Sequence, residues 1–100
     1  MKKILVAEDE QKIREFVVIN LERAGYRAYE AENGDQALEL YEQENGDFDV
    51  AVLDIMMPGD HDGLAVCKEL RRRNPSIGII LLSARTQEMD KVSGLMMGAD

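Results

Sequence analysis

Tryptophan is absent from this 100-residue sequence, cysteine occurs once and proline twice. A single thiol, Cys67, excludes an internal disulfide and a cysteine-based zinc cluster. Its spacing from Leu64, Ala65 and Leu70 is helical, so it reads as a small apolar group, buried and inert. No Pro-rich or Ser-rich tract interrupts the chain, so neither a linker nor a second domain is expected, and residues 1–100 read as one domain. Long apolar runs are also missing. The basic start Lys2-Lys3 leads into Ile4-Leu5-Val6-Ala7, but Glu8 ends that run far short of a signal-peptide core or a membrane span. A cytoplasmic protein is the expectation. Bases are scarce, twelve Lys and Arg against twenty Asp and Glu, giving a formal charge of -8. Such a surface repels phosphate backbones, so no nucleic-acid binding is expected of this segment. Its one basic run, Arg71-Arg72-Arg73, falls at a helix end where it complements the dipole.

What is present is an ordinary globular balance, with 45% apolar and 32% charged residues. Short β-rich runs alternate with amphipathic stretches. Ile4 to Ala7 has the continuous apolar character of a strand covered on both faces. Glu10 to Ala24 reads as a helix with Ile13, Phe16, Val17, Leu21 and Ala24 on its apolar stripe, stopped by Gly25. Tyr26 to Ala31 is a more polar strand, suited to a sheet edge. Asn33-Gly34-Asp35 opens a second helix whose stripe is Ala37, Leu38 and Tyr41. Val50 to Leu53 is another buried-type strand, running into Asp54. A loop with Pro58, Gly59 and Gly63 precedes a helix from about Leu64 to Arg73, ended by Asn74-Pro75. Ile77 to Leu82 reads as a fourth strand and Thr86 to Met97 as a fourth helix. The order βαβαβαβα predicts an α/β fold, a doubly wound parallel sheet with helices on both faces.

Ligands of such sheets bind beyond the carboxyl ends of the strands, near the point where strand order reverses. The residues falling there are Glu8, Asp9 and Glu10 after the first strand, Asp54 after the third and Ser83-Ala84 after the fourth. Three carboxylates within ~5 Å would repel by roughly 3 kcal/mol per pair at an effective dielectric of ~20. A bridging cation, an added proton or full hydration relieves that repulsion. Hard oxygen ligands suit Mg²⁺, beside which a carboxylate can attack phosphorus. The competing reading is that Glu8 to Glu10 only favour the start of the first helix. Spacing leaves both open.

Four motifs in order carry a resemblance. Glu8-Asp9 after the first strand, Val52-Leu53-Asp54-Ile55-Met56-Met57-Pro58 at the third, Leu81-Leu82-Ser83-Ala84-Arg85 at the fourth and Gly94-Leu95-Met96-Met97-Gly98-Ala99-Asp100 at the end resemble the response-regulator receiver domain of bacterial two-component systems. The resemblance implies a flavodoxin-like receiver fold with strand order 2-1-3-4, and a phosphorelay switch that takes a phosphoryl group from a sensor histidine kinase and controls an output domain or downstream partner. Asp54 would be the phosphoacceptor and Asp9 a direct ligand of Mg²⁺, with Mn²⁺ as a substitute. Glu8 would act through water, and Met56 would offer its backbone carbonyl. Ser83 would be the switch hydroxyl, and the Ala84 amide would meet the phosphoryl group. Self-catalysed phosphorylation and hydrolysis would come with the family.

The resemblance also implies a fifth strand bearing an essential lysine, then a fifth helix, beyond Asp100. Neither Lys68 nor Lys91 fits that lysine's place, since both lie in helical stretches. The chain is therefore expected to leave its fourth strand open and to form a homo-oligomer there or a weakly stable monomer. The loop Pro58-Gly59-Asp60-His61-Asp62-Gly63 is one residue longer than the common family spacing, with Asp60, His61 and Asp62 expected to face solvent. Two other readings compete. A haloacid-dehalogenase-type phosphatase would carry a second acid two residues after its nucleophile, where this chain has Met56. A truncated receiver acting only as an interaction or assembly module would form no acyl phosphate.

Overall fold

A computed structural model describes residues 2–82 of the chain, in the order β1 (Lys3–Ala7), α1 (Gln11–Arg23), β2 (Arg27–Ala31), α2 (Gly34–Gln43), β3 (Val50–Asp54), α3 (Gly63–Arg73) and β4 (Gly78–Leu82). The expected fourth helix, 86–97, lies outside the described residues. All strand pairs are parallel, and the sheet runs β2-β1-β3-β4. The chain first adds β2 on one side of β1 and then crosses to add β3 on the other. The strand order therefore reverses at β1.

Strand composition follows this placement. In the central β1, Ile4 to Ala7 are all buried, and in β3 so are Ala51 to Asp54. Alternate side chains enter two different cores. Leu5, Ala7, Ala51 and Leu53 join the larger core with Ala37 and Tyr41 of α2 and Val66, Cys67 and Leu70 of α3. Ile4, Val6 and Val52 join a smaller one under Val18 of α1, flanked by Val17 and Leu21. Each fully buried Leu, Ile or Val contributes about 1.5–3 kcal/mol, so both sheet faces need a cover. The polar β2 keeps mainly Ala31 buried and does form one edge. At the other edge of the described sheet, Ile80 of β4 is 44% exposed.

The expected stripe of α1 needs correction. Phe16 is 69% exposed and Ala24 is exposed, whereas Arg14 and Val18 are the buried residues of the helix. The sheet-facing line is Arg14, Val17, Val18 and Leu21. An arginine thus occupies a position, at i, i+3, i+4 and i+7 spacing with Val17, Val18 and Leu21, that its charge alone assigns to the polar side.

Two glycines allow elements to meet at the sheet's carboxyl end. A Cβ on Gly63 would collide with the backbone carbonyl of Asp54, and one on Gly34 with that of His61. The first brings the start of α3 against the end of β3, where the Gly63 amide donates to the Ile55 carbonyl at 3.1 Å. The second lets the β3–α3 loop lie on the start of α2. The starts of α2 and α3 are satisfied by side chains: Asn33 accepts the Gln36 amide at 2.8 Å and Asp62 the Ala65 amide at 2.9 Å. At the end of α3, Arg71 donates to the carbonyls of Pro75 (2.9 Å) and Ile77 (2.6 Å).

Candidate functional site

β1 and β3 are adjacent and in register, Ala7 opposite Leu53. The next residues, Glu8 and Asp54, therefore leave the sheet side by side. One carboxylate oxygen from each of Glu8, Asp9 and Asp54 lies within 4.8 Å of the others. Glu8 and Asp54 are fully buried, while Asp9 keeps partial contact with solvent. Asp9 also lines a cleft of about 590 Å³ with Ile55, Met56, Met57, Pro58 and Asp62.

Glu8 is held from several sides. Its Oε2 accepts the Glu10 amide at 3.0 Å, its own amide donates to the Ala31 carbonyl at 3.1 Å, and its carbonyl accepts Arg14 Nη1 at 2.8 Å. Among the described residues its buried Oε1 has no hydrogen-bond partner. Burial first, then the Asp54 and Asp9 carboxylates, pushes the Glu8 carboxyl up to about 8, against the opposing pull of the Glu10 amide. A proton taken up there relieves the crowding in place of a cation. Glu8 thus sits inside the protein, where it is more than a favourable charge before a helix. Glu10 is the N-cap of α1 and makes no side-chain capping bond.

Hard carboxylate oxygens, one of them buried without a donor, fit a small divalent cation. Glu8, Asp9 and Asp54 are brought together as the spacing suggested. Met56 follows Asp54 by two residues; its amide donates to Asp54 Oδ1 at 3.4 Å, and its side chain is 54% exposed. Ser83 and Ala84 lie outside the described residues. His61 keeps an exposed side chain, as expected of a loop residue, and its Nδ1 lies 2.5 Å from Asp35 Oδ1 on α2. Asp62 is the N-cap of α3 and not merely solvated. Sequence reading missed Arg14 altogether; the available signal was a base at i+4 from the Glu10 N-cap, one turn past the acids.

The comparisons with known proteins agree with this geometry. The family model described as response regulator receiver domain matches residues 4–100. The chain is 46% identical over 99 residues to the alkaline phosphatase synthesis transcriptional regulatory protein PhoP of Bacillus subtilis, covering 99% of this chain and 40% of that protein. It thus spans less than half the length of that curated relative. The response regulator TrrA from Thermotoga maritima, solved in complex with Mg²⁺-BeF, superposes with a TM-score of 0.82 at 39% identity, over 100% of this chain and 83% of that one. A structure of TrrA in complex with the histidine kinase ThkA gives a TM-score of 0.79 at 40% identity, over 100% of this chain and 82% of that one. From the acid triplet at the ends of the central strands, the 2-1-3-4 strand order and a family model matching nearly its whole length, the chain belongs to the response regulator receiver domain family.

Proposed function

We propose that this domain is a phosphoacceptor switch in which Asp54 takes a phosphoryl group from a histidine kinase. The observation that carries the reading is the meeting of Glu8, Asp9 and Asp54 within 4.8 Å at the ends of the two central strands. A carboxylate oxygen of Asp54 attacks phosphorus, the N–P bond of the donor phosphohistidine breaks, and an acyl phosphate forms. Asp9 and Asp54, with the Met56 carbonyl, would hold Mg²⁺, and Glu8 would act through water. When bound, the cation neutralises phosphoryl charge. Asp54, buried at the end of β3, is oriented by the Met56 amide, and Glu8 shares its proton or gives it up as the pocket fills. Ser83 and the Ala84 amide would receive the phosphoryl oxygens. The Mg²⁺-BeF bound to TrrA and the complex of TrrA with its kinase support the cation and the donor. Mn²⁺ in place of Mg²⁺, a cytoplasmic location, an output domain, self-catalysed hydrolysis and pairing of copies through β4 belong to the same proposal. Among the described residues no helix is long and apolar enough to cross a membrane.

Incubation with acetyl phosphate, followed by intact-mass analysis, tests the reading. One phosphoryl group is expected on the wild type with Mg²⁺, none in chelator and none on Asp54→Asn. A phosphoryl group retained by Asp54→Asn would overturn it.

A further inference from the structure

Among the described residues three charged side chains are buried, Glu8, Asp54 and Arg14. The first two form the acid pocket, and the chemistry above leaves Arg14 unused. Its guanidinium reaches two places at once. Nη1 donates to the Glu8 carbonyl at 2.8 Å, and Nε donates to Glu30 Oε1 on the edge strand β2 at 3.1 Å. Glu30 is half-exposed and belongs to no ligand group of the pocket.

The consequence is geometric. The Glu8 amide, bonded to the Ala31 carbonyl, fixes the peptide plane before Glu8. The Glu8 carbonyl, bonded to Arg14, fixes the plane after it. Two fixed planes set both backbone dihedrals of Glu8 and the plane from which Asp9 departs. We infer that Arg14 is a positioning residue for the acid pocket: braced by Glu30, it holds the Glu8–Asp9 peptide so that both carboxylates face a divalent cation beside Asp54. The inference rests on the function proposed above. Without the brace, the turn must be ordered when the cation binds, and that lost conformational freedom is subtracted from affinity. Charge alone predicts the opposite sign. Removing a cation near three carboxylates strengthens the pull on Mg²⁺.

Calorimetric Mg²⁺ titration of the whole chain separates the two. Arg14→Gln should bind Mg²⁺ about tenfold more weakly, one unordered turn's worth of affinity. Arg14→Lys keeps the charge but not the two-way reach, and should recover only part of the loss. Glu30→Gln should weaken binding less, and the ratio to wild type should persist in about 1 M salt, where exposed charges are screened within about 3 Å. With acetyl phosphate, the Mg²⁺ concentration for half-maximal rate should rise while the saturated rate stays near wild type. In metal-free protein, amide exchange at Asp9 and Glu10 should quicken in Arg14→Gln. A folded Arg14→Gln that binds Mg²⁺ as tightly as wild type, or more tightly, overturns the inference. Should that variant not fold, unchanged affinity in Glu30→Gln overturns it instead. If the wild type itself binds no Mg²⁺, the proposed function fails, and exchange at Asp9 and Glu10 still judges Arg14: unchanged rates sink it.

Discussion

Glu8 and Glu69 belong to the same small domain, yet burial pushes the first up to about 8 while the Arg72 and Arg73 guanidiniums hold the second down to about 2. Glu69 stands on α3 with Arg72 Nη2 at 2.5 Å and Arg73 Nε at 2.6 Å, and Arg73 reaches on to Glu42 at 2.5 Å. Every acid there meets a base. At the carboxyl end of the sheet, acids meet acids. A net charge of -8 spread evenly would make neither arrangement. The acids that the fold leaves crowded stand at the end of β3 and just after β1, where Glu8 and Asp54 are buried and a cation is the fitting complement. Glu69 and Glu42 lie on helix surfaces, where pairing sets local order and little else.

The comparison breaks most clearly with pH. Above about 4.5 the unfolded chain has lost the Glu8 proton, while the metal-free folded chain keeps it until about 8. The folded state binds more protons in that window, so metal-free stability should fall as pH rises from about 4.5 to about 8 and then level off. One proton limits the slope to about 1.4 kcal/mol per pH unit. Mg²⁺ should flatten the fall, because the cation favours the ionised carboxyl, and Glu8→Gln should flatten it without Mg²⁺. Urea melts at half-unit pH steps, in chelator and in Mg²⁺, read both effects. A metal-free stability that rises across the window would mean that Glu8 is ionised when buried.

Asp9→Asn sharpens the same contrast at smaller size. It removes one carboxylate from the crowded pocket yet keeps the shape. Metal-free stability should rise by about 1–3 kcal/mol, less than a full pair's repulsion at a dielectric of ~20, since Asp9 touches solvent. Mg²⁺ affinity should fall in the same variant. Denaturant melts in chelator and calorimetric titration would check the two signs together. A variant less stable than wild type in chelator would show that the acids do not strain the empty pocket.

How much of this was legible beforehand follows the same division. The strand ends were readable because apolar runs on β1 and β3 stop at acids, and only doubly covered strands look like that. Glu8, Asp9 and Asp54 were therefore placed correctly as a group. Side-chain pairs away from the strand ends are not readable in the same way. His61 finds Asp35 from 26 residues away. Arg14, an arginine on the buried face of α1, contradicts the rule that charge marks the wet face, and Phe16 fits the 3–4 spacing of the stripe yet lies on its exposed side. Asp62 was hidden because Gly63 looked like a loop residue; it is the glycine that lets α3 start hard against Asp54.

The smallest effect is expected at Glu69. Its carboxyl is held down to about 2 first by Arg72 and then by Arg73, so its contribution is present above about 4.5 and is lost as pH falls toward 2. That window is the reverse of the one for Glu8. Glu69→Gln keeps the side chain's length and one hydrogen-bond acceptor while removing the charge, so it should lower Tm less than any change in the acid pocket shifts it. The difference from wild type should shrink in about 1 M salt, which screens exposed charges within about 3 Å. It should also be much reduced near pH 2, where the wild-type carboxyl is itself being protonated. Thermal melts of both proteins at pH 7 and pH 2, in low and high salt, provide the four differences needed. A Tm loss that survives both salt and acid would mean that Glu69 supports α3 through packing, and the contrast with Glu8 would then be one of shape and not of charge.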